Sequence, residues 1–119
     1  MSESDRFAPK VPVELNPPKD DPITLEELAK ADGEHSDKIY VAIKGTVFDV
    51  TRNAAAYGPG RDYHIFAGKD ASRGLATSSL DPVNAVPEYE DLPEKQQKIL
   101  SDWFKFFTLR YNIIGKVVV

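Results

Sequence analysis

The 119-residue sequence contains no cysteine. That excludes a disulfide framework, a thiolate nucleophile, an iron–sulfur cluster, cysteine-ligated zinc and a covalently attached c-type haem. Histidine is nearly as scarce: only His35 and His64 occur, so a histidine-rich metal site is excluded and a bis-histidine centre would need both. No Gly-x-Ser-x-Gly elbow, phosphate-binding glycine loop or His-Glu-x-x-His pair is found, and nothing marks an enzyme. Long apolar runs are missing as well. Prolines and charges interrupt the start of the chain, so neither a signal peptide nor a membrane span is expected and the chain reads as soluble as given. An excess of positive charge is also lacking. With 15 basic and 19 acidic side chains the formal net charge is -4, which gives no field to attract phosphate backbones and argues against nucleic acid as a partner.

The residues that are present describe an ordinary globular protein. At 41% hydrophobic and 29% charged, a chain of this length buries a core as one domain without staples. Five of the nine prolines fall in residues 1–22, among charges and without an apolar period, which predicts a flexible Pro-rich arm there and a folded domain over 23–119. Thr24 with Glu27 predicts a capped short helix that turns Leu25 and Leu28 inward and ends near Asp32-Gly33. Ile39 to Ile43, the Lys44-Gly45 pair and Thr46 to Val50 predict a hairpin. One or two helical turns are expected over Asn53 to Tyr57, stopped by Gly58-Pro59-Gly60. Two more short helices flank Gly68, the second capped by Asp70. From Pro93 to Leu109, apolar residues at spacings of three and four (Ile99, Leu100, Trp103, Phe104, Phe107) predict the main core helix. A terminal strand follows, in which Gly115 marks a bulge. The class is α+β.

Few of these residues point to chemistry by themselves. His35 lies in a polar turn beside Asp32, Glu34, Ser36 and Asp37, which opposes its burial against a cofactor. The paired acids Asp20-Asp21 and Glu26-Glu27, and the cluster Glu88, Glu90 and Asp91, read as solvated charge. Tyr57 and Tyr63 bracket the Gly58-Pro59-Gly60 loop, and Tyr111 follows the core helix. Such phenols serve structure as readily as function, packing the ring and hydrogen-bonding the hydroxyl. Trp103 and Phe107 read as core.

The stretch Tyr57-Gly58-Pro59-Gly60-Arg61-Asp62-Tyr63-His64-Ile65-Phe66-Ala67-Gly68-Lys69-Asp70-Ala71-Ser72-Arg73-Gly74-Leu75-Ala76 resembles the signature of the membrane-associated progesterone receptor family, a branch of the cytochrome b5-like proteins. The resemblance runs from about Ile23 to the C-terminus, through Val41 to Thr51 and Leu100 to Trp103. It implies a cytochrome b5-like domain: a small sheet, short helices forming a haem pocket, and one longer C-terminal helix. It also implies haem b, ferric and five-coordinate, bound through a single tyrosine, which here is Tyr63. The usual His-Pro-Gly-Gly ligand motif is absent. By the same resemblance Tyr57 hydrogen-bonds the ligand, and Arg110 and Tyr111 lie near haem substituents; Arg110 departs from a common lysine. Phe66 and Leu75 are candidates for apolar haem contact, with a core role as the equal alternative. His64 is expected at the pocket edge, because side chains of neighbouring residues on a helix diverge by about 100°.

Function then follows as expectation. The resemblance implies a non-enzymatic haem-binding regulatory or carrier protein that supports cytochrome P-450 monooxygenases in sterol metabolism, with a steroid as a further ligand and a haem-mediated homodimer as a candidate assembly. The alternatives are an electron-transfer cytochrome b5-like protein and a haem-free module binding a steroid or a protein. The resemblance implies a location at the endoplasmic reticulum, usually through an N-terminal anchor; no such anchor is expected from this sequence as given, which leaves a cytoplasmic location as the alternative.

Overall fold

The computed structural model describes residues 14–118. Five strands, β1 (Pro22–Thr24), β2 (Tyr40–Ile43), β3 (Thr46–Asp49), β4 (Lys69–Asp70) and β5 (Asn112–Val118), form one mixed sheet in the order β1-β5-β3-β2-β4. The outer pairs, β1 with β5 and β2 with β4, are parallel; the inner pairs are antiparallel. Four helices, α1 (Leu25–Lys30), α2 (Ala54–Tyr57), α3 (Ser72–Thr77) and α4 (Glu94–Thr108), are joined by 3-10 turns at Thr51–Asn53, His64–Phe66 and Pro82–Asn84. The α+β class and the cytochrome b5-like arrangement of sheet, short helices and C-terminal helix hold.

The period-two alternation of the hairpin divides the interior between the two faces of the sheet. Val41, Ile43, Phe48 and Val50 point into the larger core with Leu75, Leu100 and Phe107, whereas Ala42 and Val47 meet Ile23 and Leu28 on the other face. Phe48 anchors α4 to the sheet, edge-on to Phe104 and Phe107 with ring centroids 5.6 and 5.4 Å apart. The hairpin turns on Lys44 and Gly45, both at positive φ (52° and 77°), the conformation that a two-residue loop needs to match strand twist. A buried pair from further along the chain holds this turn. The Asp70 carboxylate accepts from the Gly45 N–H (2.9 Å) and from the Ser72 hydroxyl, whose oxygen in turn accepts from the Lys44 N–H (2.8 Å).

The structure refines four expectations. Leu28 is buried but Leu25 is 51% exposed, because the six-residue α1 presents only one side to the sheet. Asp70 precedes rather than occupies the α3 cap position, which is Ala71; its carboxylate still accepts from the Ser72 N–H. The proline-rich arm falls partly outside the described residues, and the part within them is attached to β5. Asn16 N–H donates to the Asn112 side chain, Lys19 N–H to the Ile113 carbonyl, and the Asp21 carbonyl accepts from Lys116 N–H. A strand bulge does occur, but beside Gly115 rather than at it: Gly115 pairs with Val47 and Ile113 with Phe48, so Ile114 is the extra residue, while a Cβ on Gly115 would run into the Asp21 carbonyl oxygen.

Candidate functional site

One cleft gathers four of the aromatic residues singled out in the sequence, Tyr57, Tyr63, Phe66 and Trp103. It holds about 210 Å³ and is lined by α2 (Tyr57), the following loop and turn (Tyr63, Phe66), α3 and its exit (Gly74, Leu75, Ser78, Ser79, Leu80) and α4 (Trp103). Local backbone bonds explain why two tyrosines six residues apart become neighbours. The Gly58 N–H closes on the Ala54 carbonyl, Gly60 takes φ 80°, and the Tyr63 N–H returns to the Ala56 carbonyl at 3.0 Å. The loop thus folds back on α2 and sets the Tyr57 and Tyr63 rings 5.9 Å apart. Tyr63 also stacks on Phe66, with centroids 6.0 Å apart and planes within 14°.

The two phenols differ in environment. Tyr63 is 40% exposed at the cleft, whereas Tyr57 is 5% exposed and packs edge-on against Phe107. Burial pushes the Tyr57 phenol well above its ordinary value, and electrostatic repulsion from the neighbouring Tyr111 and Tyr63 phenols adds to the rise. Tyr57 therefore stays a neutral hydroxyl, able to donate, at any physiological pH.

On the opposite wall, Ser78 takes a left-handed conformation (φ 54°) that ends α3 and carries Ser79 and Leu80 to the cleft. Asn84 holds this exit by donating to the Ser79 hydroxyl at 3.0 Å. Gly74 permits the close packing beneath, since a Cβ there would meet a Phe66 ring carbon at 3.0 Å and the Asn84 carbonyl oxygen at 3.1 Å.

Of the expected site residues, Tyr57, Tyr63, Phe66 and Leu75 line the cleft, and Arg110 and Tyr111 do not. The Arg110 guanidinium lies over the Phe106 ring, 3.7 Å from its centroid, and Tyr111 is buried against Phe107 with its hydroxyl accepting from the Asn53 amide at 2.8 Å. His64 turns from the cleft: Nδ1 donates to the Tyr57 carbonyl at 3.0 Å, and Nε2 faces Glu34 at 3.7 Å. His35 has a side chain 71% exposed and is paired with Asp32. Among the described residues no group of three or more His, Asp or Glu side chains is placed to hold a metal ion. Trp103, Leu80 and the two serines are lining residues that sequence reasoning missed. Leu80, an apolar residue after a serine pair and 52% exposed, was the available signal.

The chain matches the family described as the cytochrome b5-like heme/steroid binding domain over residues 24–117. It belongs to that family. Over 96 residues it is 47% identical to the Arabidopsis thaliana protein named "Probable steroid-binding protein 3", covering 80% of this chain and 96% of that one. It is 41% identical over 98 residues to human membrane-associated progesterone receptor component 2, covering 80% of this chain but 44% of that protein. The Schizosaccharomyces pombe cytochrome P450 regulator dap1 is 36% identical over 102 residues, covering 80% and 61%. The chain thus spans nearly all of the plant relative and less than half of the human one. A solved Arabidopsis thaliana structure described as having a cytochrome b5-like fold superposes with a TM-score of 0.76 at 45% identity, covering 83% of this chain and 92% of that one. No helix among the described residues is long and apolar enough to cross a membrane.

Proposed function

We propose that this domain holds ferric haem b in the Tyr57–Trp103 cleft through the Tyr63 phenolate, and that it acts as a non-enzymatic regulatory or carrier partner of cytochrome P-450 enzymes. The observation that carries this reading is the pairing of a half-exposed phenol, Tyr63, with a buried neutral phenol, Tyr57, at a largely apolar cleft. The donor set fits the group: Phe66, Leu75, Leu80 and Trp103 offer apolar surface to a porphyrin, and Tyr63 offers a hard oxygen. At about 210 Å³ the cleft is smaller than a typical enclosed ligand pocket of roughly 300–1,000 Å³, so a large flat ligand would remain partly at the surface.

When bound, ferric haem supplies a Lewis-acidic iron that favours the deprotonated form of a phenol whose ordinary pKa is about 10. Tyr63 would then serve as an anionic ligand, stabilising Fe(III) and lowering the potential relative to a histidine pair. Tyr57 is the donor suited to hold that oxygen and trim its basicity. A five-coordinate iron is favoured because both histidines already have protein partners outside the cleft. The same observation disfavours electron relay of the bis-histidine kind. Arg110 and Tyr111 lie outside the cleft lining, and a role for them near haem substituents rests on the family resemblance alone.

The P-450 partner rests on the likeness to a P450 regulator and a membrane-associated setting on the likeness to membrane-associated relatives; the endoplasmic reticulum is implied by the family resemblance alone. A steroid is the second reading of the same cleft, favoured by its apolar walls. The test is titration of purified protein with haemin. Saturation at one haemin per chain, a loss of at least tenfold in affinity in Tyr63→Phe, and displacement of haemin by excess progesterone only if the two share the cleft are expected. Equal haemin affinity in parent and Tyr63→Phe would remove Tyr63 from the site. Sedimentation of the loaded protein reads the haem-mediated homodimer directly.

A further inference from the structure

Helix α1 ends after six residues, so on the second face of the sheet it packs Leu28 against Ala42 and Val47 but leaves Tyr40 and Ile114 only partly buried. A groove of about 530 Å³ opens there, between the chain leading into β1 and the turn leading into β2. That volume lies within the range of ligand pockets, roughly 300–1,000 Å³. The groove shares no lining residue with the Tyr57–Trp103 cleft, which belongs to the core on the other face. Ile23 and Ile114 give it an apolar floor, and Lys19, Lys30 and Lys38 reach it from three separate segments. Among the described residues none of these three ammonium groups has an ion-pair partner.

We propose that this groove is a binding site for a single-chain amphiphile with a phosphate head, the head held by the lysines and the chain laid on the Ile23–Ile114 floor. Two hydroxyl donors join the lysines. The Ser36 oxygen accepts from the Lys38 N–H at 3.2 Å, which leaves its proton to be given to a ligand. Burial, and then the Asp49 carboxylate, raise the Tyr40 phenol above its ordinary value, so it stays protonated and able to donate. Such a set suits a phosphate monoester, with three terminal oxygens and a charge of about −1.5 to −2, better than a carboxylate with two oxygens and one charge. Two acids also line the groove, Asp21 and Glu27, and the Glu27 carboxylate is engaged in the α1 cap, accepting from the Thr24 hydroxyl at 3.1 Å. Three lysines against two carboxylates leave the groove positive in a chain whose net charge is -4. A bare phosphate would leave the floor wet, whereas an alkyl chain removes it from water.

Dodecyl phosphate, kept below its micelle concentration, is titrated into isotope-labelled protein and compared with dodecyltrimethylammonium and with inorganic phosphate, the amide resonances being followed by NMR. Dodecyl phosphate is expected to give saturable shifts at Ile23, Ala31, Tyr40 and Ile114 and to leave Gly74 and Leu80 of the cleft in place. The double variant Lys30→Gln with Lys38→Gln should unfold at the parent temperature and bind about tenfold more weakly, the scale of two solvent-facing charge contacts. Inorganic phosphate should bind at least about tenfold more weakly than dodecyl phosphate, because it leaves the floor uncovered. The cationic amphiphile should give no saturable shift in the groove. Equal affinity for the two amphiphiles, unchanged affinity in the double variant, inorganic phosphate as tight as dodecyl phosphate, or shifts confined to the cleft would each overturn the assignment. Binding to phosphatidic acid vesicles without saturable binding of the monomer would overturn it too, making the lysines a membrane contact. None of these readouts uses haemin, so the groove and the haem cleft stand or fall separately.

Discussion

As the proposed haem ligand, Tyr63 would have to be accessible enough to meet the iron and confined enough to meet it in one orientation, and its surroundings would divide that work. Phe66 stacks on one side of the ring and Tyr57 flanks it, leaving the phenol half exposed. Tyr57→Phe keeps the packing and deletes the donor, so haemin should still bind with a severalfold change in affinity, read by absorption titration. His64→Ala should leave the ferric bands in place, since the ring faces the Tyr57 carbonyl and Glu34. It should cost about 1 kcal/mol in urea unfolding for the lost loop contact. A complete loss of haem in that variant would reverse the assignment of Tyr63.

Asp32 supplies a pH-dependent contribution outside the cleft. Burial opposes its ionisation, but hydrogen bonds from the His35 and Glu34 N–H groups and the His35 ring prevail and draw the carboxyl down from 3.8 to about 2. A depressed acid stabilises the folded state fully above its unfolded value and loses that contribution as pH falls through the folded one. The Asp32 turn is therefore expected to weaken between about pH 4 and pH 2. Asn at this position should flatten the acid limb of urea midpoints measured across that range.

At the scale of elements, what was legible was what is local. The Lys44-Gly45 hairpin and the α4 face declare themselves through turn chemistry and period, and the structure keeps both nearly to the residue. The Tyr57–Tyr63 cluster became a site only through the family signature, because two phenols around a glycine loop serve structure just as well. Contacts distant in sequence left no trace. Nothing near Asn53 announces Tyr111, nothing near Asp70 announces the turn 25 residues earlier, and Trp103 read as core because a helical period does not say which part of an apolar face borders a cleft.

Those distant contacts carry their own tests. Ser72→Ala leaves the part-buried Lys44 N–H without its acceptor and the buried Asp70 carboxylate without one of its donors, and should cost about 1–3 kcal/mol in chemical unfolding. Gly115→Ala drives a methyl into the Asp21 carbonyl, so β1 should separate from β5. The Lys116 amide, bonded to that carbonyl, should lose protection from hydrogen exchange ahead of the β2–β3 amides.

The whole molecule places a supporting sheet behind a cleft made largely by short helices and turns. The sheet and α4 bury Phe48, Leu100 and Phe107 completely, whereas the cleft walls rest on α2, α3 and the turns beside them. Such walls belong to the less stable part of a fold and gain most from a ligand. Haemin at 100 times its dissociation constant should add about 2.7 kcal/mol to the stability, which for a domain of this size raises the unfolding temperature by roughly 10 °C. Calorimetry with and without haemin reads this shift, and Tyr63→Phe should lose most of it.

The visible absorption spectrum of the ferric haem complex bears most directly on ligation by Tyr63. A high-spin spectrum with phenolate-to-iron charge transfer, lost in Tyr63→Phe and kept in His64→Ala, is the expected result. A low-spin spectrum of paired imidazoles, or the same bands after Tyr63→Phe, would contradict it.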